Sequence, residues 1–225
     1  MQEQYKRIRD KIFIPSFAAN LYLGHIVALL VLIAYPIIVD QFKFPLAFFT
    51  ILLAIYILYC MVLPEKPNIQ ILITGFVAIV YTLFYLEENY DYTSIHYLIK
   101  SILLFLFAMF MFTSMLVETL HAEISLRLLY QSIDCYLFLG ICFTFLFRIL
   151  HFIDPHAFNF ELKDEFNHIY MSFVVLTSIG LGDLLPTTLP AKALVILNGL
   201  LGQIYIAFFA AMIVGKYLTK ATKSN

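Results

Sequence analysis

Apolar residues run along this chain in long blocks, and short polar breaks separate them. Six blocks stand out, over 21–39, 44–63, 69–86, 95–117, 132–150 and 191–218. At about 1.5 Å per residue each covers a hydrocarbon core about 30 Å thick, so the pattern predicts six membrane-spanning helices. The breaks carry turn chemistry: residues 40–43, then Pro64, Glu65, Lys66, Pro67 and Asn68, then 87–91. Ahead of the first block, residues 1–20 hold Lys6, Arg7, Arg9 and Lys11, with Tyr5, Ile8 and Ile12 at helical spacing. That spacing predicts a basic helix on the membrane surface, or a basic flank that only orients the first span. Residues 21–117 then form a four-helix membrane domain. Over 118–131, Ile124, Leu128 and Gln131 alternate with Glu123 and Arg127, which predicts an amphipathic linker helix on the inner surface.

The last two blocks bracket a different pattern. After an outer helix over 132–150 comes a turret over 151–163 with Pro155 and several aromatics. Asp164 is suited to cap a helix over 164–176, with Glu165 favourable in its first turn. Then follow Thr177, Ser178, Ile179, Gly180, Leu181, Gly182 and Asp183, with Pro186 and Pro190 beyond, before an inner helix over 191–218 and a tail over 219–225. Glycine tolerates backbone conformations closed to other residues, so the alternating glycines point to a strand whose carbonyls all turn one way. Within a bilayer, non-helical backbone survives only where it lines a water-filled cavity or is buried in protein. Residues 177–183 are therefore a candidate ion filter, reached by a re-entrant helix.

Composition narrows the class. The chain is 62% hydrophobic and 13% charged, with a mean hydropathy of +0.90, values no soluble globular domain is expected to show. A net charge of −1 gives no reason to expect a nucleic-acid partner. Cys60, Cys135 and Cys142 all lie in apolar blocks without metal or disulfide spacing, so they read as buried thiols. Trp is absent, which leaves Tyr to supply the interfacial aromatic belt. The first block is long enough to span and lacks a small-residue cleavage site, so no secretory leader is expected.

Ser178, Ile179, Gly180, Leu181, Gly182 and Asp183 resemble the potassium-channel signature, which usually reads Thr-Val-Gly-Tyr-Gly-Asp. The resemblance covers about 134–217 and leaves the first half untouched. It implies an all-α integral membrane protein with six transmembrane helices, a re-entrant pore helix and a selectivity filter between the fifth and sixth. Potassium would bind at Ser178, Ile179, Gly180 and Leu181, with Thr177 and Gly182 completing the filter, as rings of oxygens that replace the ion's hydration shell. A filter of this kind needs four segments and the chain has one, so the resemblance also implies a homotetramer in contact with membrane lipid, with potassium as permeant ion and no cofactor. Serine for threonine keeps the hydroxyl of the innermost site. Leucine for tyrosine at Leu181 removes a phenol that braces the filter in the family. There, the aspartate at Asp183 bonds a pore-helix tryptophan, whose place is taken here by Tyr170, so a Tyr170–Asp183 hydrogen bond is expected. At Val174, where some relatives carry an acid, this chain is apolar.

Inner-helix residues complete the candidate set. Gly202 stands where the family's inner helix hinges, and Gly199 precedes it by one turn; close helix packing is the competing reason for both. Gln203 is a polar side chain deep in the span, expected to face the cavity or a neighbouring helix. Ile206, Ala210 and Val214, together with Ile213 and Tyr217, are candidates for an apolar inner passage that gates by dewetting.

Topology follows from charge. With the N-terminus inside, the inner segments hold nine basic residues (Lys6, Arg7, Arg9, Lys11, Lys66, Arg127, Lys216, Lys220 and Lys223), and the outer ones three, Lys43, Lys163 and Lys192. That bias puts both termini in the cytoplasm, in the plasma membrane or a bacterial inner membrane, with Asp183 on the outer face. The four-helix domain over 21–117 is laid out like a voltage sensor, yet its fourth span lacks the basic series of one: Leu103, Leu106, Met109 and Phe112 follow Lys100. With only seven residues after Leu218, no regulatory module is expected. The histidines, among them His96, His121, His151, His156 and His168, read as interfacial, with a single one able to tune a pH response. The expected activity is passive potassium conduction, as a leak or under the control of tension, lipid or pH, and not an enzyme. The rivals are a weakly selective cation channel, a multispan transporter, for which no inverted repeat is visible, and an intramembrane serine protease, for which Ser178 has no histidine at matching depth.

Overall fold

The computed structural model describes residues 94–123 and 125–222, with Tyr92 and five helical positions, Leu23, Gly24, Ile26, Val27 and Leu30. The basic segment and the first three expected spans otherwise lie outside the described residues. The chain divides into two compact units, Met1–Ile26 with Leu98–Asn225, and Val27–Tyr97. The candidate site lies wholly in the first.

The described residues form four helices and one isolated antiparallel bridge, Phe158 with Pro186. Helix α1 runs Ile95–His121, α2 Leu126–Ile153, α3 Glu165–Leu176 and α4 Leu189–Thr222. Three stretches, Ile95–His121, Leu128–Ile153 and Leu189–Lys216, are long and apolar enough to cross a membrane. Helix α3, with 12 residues, measures about 18 Å and cannot.

The linker helix expected over 118–131 is not a separate element. Helix α1 continues to His121, α2 begins at Leu126, and only a short corner divides them. Ser125 causes the restart. Its backbone is extended (φ −159°, ψ 167°), and its hydroxyl accepts from the Leu128 N–H. The end of α1 is closed from elsewhere: Lys216 Nζ on α4 donates to the carbonyls of Thr119, Leu120 and Ala122, the last at 2.6 Å. A cation there also suits the negative end of the helix dipole. Helix α2 outruns the expected 132–150 at both ends and stops at Ile153, before Pro155, which cannot supply the next N–H. The inner helix likewise begins earlier, at Leu189, with Pro190 tolerated in the first turn. Asp164 stands at the N-cap of α3, yet its side chain makes no capping bond, unlike the expectation.

Helices α2, α3 and α4 pack on one another around Leu139, Phe143, Phe147, Ala157, Phe158, Met171, Leu176 and Ala191. Buried polar bonds tie the layers in sequence. Ser172 on α3 donates to the Gly140 carbonyl of α2 at 2.7 Å, and the Asn198 amide of α4 donates to the Ser172 carbonyl at 2.9 Å. Tyr136 on α2 donates to the Leu176 carbonyl at 3.0 Å, and Tyr205 on α4 to the Ser132 carbonyl at 2.8 Å. Helix ends leave carbonyls without intrahelical partners, and Tyr136 satisfies one of those at the end of α3. The short helix is thereby held by its C-terminal end.

Candidate functional site

The site begins where α3 stops. Thr177 caps the helix, and its hydroxyl donates back to the Phe173 carbonyl at 2.6 Å. Ser178 N–H bonds the Val175 carbonyl and Ile179 N–H the Val174 carbonyl, both at 3.0 Å. Those two bonds define a Schellman ending, whose pivotal residue adopts the left-handed conformation and is usually glycine. Here it is Ser178, with φ 59°, the one non-glycine residue at positive φ among the described residues. Gly180 (φ 56°) and Gly182 (φ 79°) repeat the left-handed conformation at every second residue. The expected strand is thus an irregular segment of alternating handedness. Around both glycines a Cβ would meet open space, so backbone conformation and not crowding calls for glycine. Ile179 and Leu181 are 62% and 66% exposed in the single chain.

Beyond Gly182 the chain is clamped. Tyr170 donates to Asp183 Oδ2 at 2.7 Å, the contact expected from the sequence. That hydrogen bond holds the Asp183 carboxyl below its ordinary range and pushes the Tyr170 phenol up. From the turret, the Asn159 amide donates to the Asp183 carbonyl at 3.2 Å and accepts from Leu185 N–H at 2.8 Å. Backbone bonds Asn159 to Leu185 and Thr187 to Ala157 complete a short two-sided ribbon, joined by the Thr187 hydroxyl on the His156 carbonyl. Behind the ribbon, His151 Nδ1 and His168 Nε2 lie 2.9 Å apart, with the rings of Phe158 and Phe160 against both imidazoles.

From α4, Gly202 meets the end of α3. A Cβ on Gly202 would lie 2.4 Å from the Leu176 carbonyl oxygen, whereas one on Gly199 would be 3.6 Å from a Val175 methyl. Close packing therefore requires glycine at 202 and only accommodates it at 199. Gln203 reaches the 177–183 segment itself, donating from Nε2 to Ser178 Oγ at 2.6 Å. Ile206, Ala210 and Val214 follow Gln203 at helical spacing, so they continue its face of α4, and all are exposed in the single chain.

Several residues here were not foreseen. Asn198, an amide within an apolar span and so a visible signal in the sequence, is fully buried. Ser172, Tyr136 and Asn159 carry no signal beyond being polar near apolar runs. His151 and His168 are 17 residues apart and had no reason to be paired.

Two membrane-length helices bracket a short helix whose end opens into a segment with left-handed backbone at every second residue, an arrangement consistent with an integral membrane channel. Residues 133–220 match the family model described as "Ion channel", which supports a pore-loop cation channel family for this part of the chain. Comparison with curated proteins and with solved structures gave no match.

Proposed function

We propose that this chain is the subunit of a homotetrameric potassium channel in which residues 177–183 form the selectivity filter. The observation that carries the reading is the repeat of left-handed backbone at Ser178, Gly180 and Gly182, in a segment held at one end by α3 and at the other by Tyr170 and Asn159. Alternating handedness lets successive carbonyls face one side, which is what dehydrating a cation demands. In this reading α3 is a re-entrant pore helix whose negative end favours a cation at its tip. Potassium is held at Ser178, Ile179, Gly180 and Leu181, the exposed side of α4 from Gln203 through Ile206, Ala210 and Val214 faces the inner passage, and Gly202 with Gly199 marks the place where α4 bends. The described fourth span carries no basic series, in keeping with a channel that is not steeply voltage-gated. The full arrangement has six spans with both termini cytoplasmic, in the plasma membrane.

A weakly selective cation pore is the second reading. Leu181 leaves the filter without a phenolic brace, and its side chain is 66% exposed in the single chain. The reversal potential of the purified protein in planar bilayers, with potassium on one side and sodium on the other, decides between them. A value near the potassium equilibrium potential, lost on Gly180→Ala or Gly182→Ala, supports the selective filter. A wild-type value near zero supports the weakly selective pore.

A further inference from the structure

We propose that Gln203 positions the innermost cation site of the filter by holding the Ser178 hydroxyl, an inference that rests on the potassium-channel reading above. A serine hydroxyl rotates among staggered wells, and serine lacks the β-methyl that restricts a threonine. An ion site built on such an oxygen needs an external partner to aim it. Gln203 Nε2 supplies that partner at 2.6 Å, taking one lone pair of Ser178 Oγ and leaving the other for a ligand.

Three further observations make the contact more than a surface encounter. Ser178 is the only described non-glycine residue in the left-handed conformation, so its Cβ has a fixed direction set by the Schellman ending of α3. Gln203 follows Gly202, whose Cα abuts the Leu176 carbonyl so closely that a Cβ would lie 2.4 Å from it. That contact sets the depth of α4 against α3, and hence the height of the amide. Finally, Gln203 lies 25 residues from Ser178 and on another element, so any displacement of α4 acts directly on the hydroxyl. The site's chemistry is that of a dehydrated monovalent cation meeting hydroxyl oxygen. Gln203 does not touch the ion; it acts through Ser178.

Barium, a divalent cation close to potassium in radius, probes the inner site when applied from the cytoplasmic side of the full-length channel in bilayers. Gln203→Met keeps the length and loses the amide; Ser178→Ala loses the hydroxyl. Each is expected to weaken barium block by about tenfold, the ratio one net hydrogen bond supports, and the double variant to be no weaker than either alone. Gln203→Glu keeps a partner for the hydroxyl and adds charge beside the site, so block should tighten; it also serves as the readout if Gln203→Met does not assemble. Additive losses in the double variant, or block unchanged in Gln203→Met or Gln203→Glu, would overturn the inference while leaving the channel reading intact. A wild-type current reversing near zero would overturn the potassium reading, and the inference with it.

Discussion

The Tyr170 hydroxyl and the Asp183 carboxylate meet at 2.7 Å, joining the middle of α3 to the outer end of the proposed filter. Both groups are accessible, so water competes for the bond. Its value is geometric, because it fixes the residue after Gly182, whose own backbone is free of steric restraint. Tyr170→Phe removes the donor and spares the ring. Under the proposed channel reading, sustained current through this variant should decay severalfold faster than in the wild type, measured during long steps in bilayers. Unchanged decay would remove Tyr170 from filter support.

The same pair predicts how the outer mouth answers acid. The Tyr170 hydrogen bond depresses the Asp183 pKa below its ordinary 3.8, so the native state favours the ionised carboxylate. A depressed carboxyl contributes stability that is fully present above the ordinary value and is lost as pH falls through the lowered one. Outer acidification from about pH 7 to 5 should therefore leave this contact intact, and loosening should begin only below the ordinary carboxyl range. Decay of current, followed against external pH in wild type and Asp183→Asn, checks the window. A wild-type midpoint at neutral pH that disappears in Asp183→Asn would contradict it.

Gly202 and Gly199 should respond in opposite ways to alanine. At 202 the new methyl would collide with backbone at 2.4 Å, and backbone cannot swing aside. Overpacking of this kind costs roughly 1–3 kcal/mol, and here it also pushes α4 off the end of α3. At 199 the methyl finds ordinary contact, while alanine favours the helix by up to about 1 kcal/mol. Thermal denaturation of the detergent-solubilised protein should show Gly202→Ala melting lower than wild type and Gly199→Ala melting no lower.

Lys216 closes the end of α1 with donations to three carbonyls, so α4 and α1 share a fastening at that end. Lys216→Met keeps the stem and removes the donors. A cation at a helix C-terminus contributes roughly 0.3–1 kcal/mol, enough to shift a balanced equilibrium between open and closed pores by about two- to fivefold. Single-channel recording of Lys216→Met should show that shift in open probability at unchanged conductance. A changed conductance with constant open probability would place Lys216 along the ion path instead.

Apolar block length and local turn chemistry were enough to locate α1, α2 and α4 in the sequence, because spanning a hydrocarbon layer is a property of each segment taken alone. The glycine alternation at 180 and 182 was readable for the same reason, since the left-handed conformation is a local demand. The boundary between α1 and α2 was misplaced: an amphipathic pattern over 118–131 cannot reveal that Lys216, about a hundred residues away, caps one helix while Ser125 starts the next. Nor could spacing foretell that Ser178, not a glycine, takes the left-handed turn, that Gln203 reaches it, or that His151 faces His168. Those pairings depend on the depth at which α4 and α2 pack against α3. That depth is decided by contacts such as Gly202 on Leu176 and Gly140 under Phe173, where the absence of a side chain lets two elements close. The sequence by itself determined which of the described segments are helices and where glycine frees the backbone; the tertiary structure decided which residues turn left-handed beyond the glycines and which side chains meet, since packing alone brings distant residues within hydrogen-bonding reach.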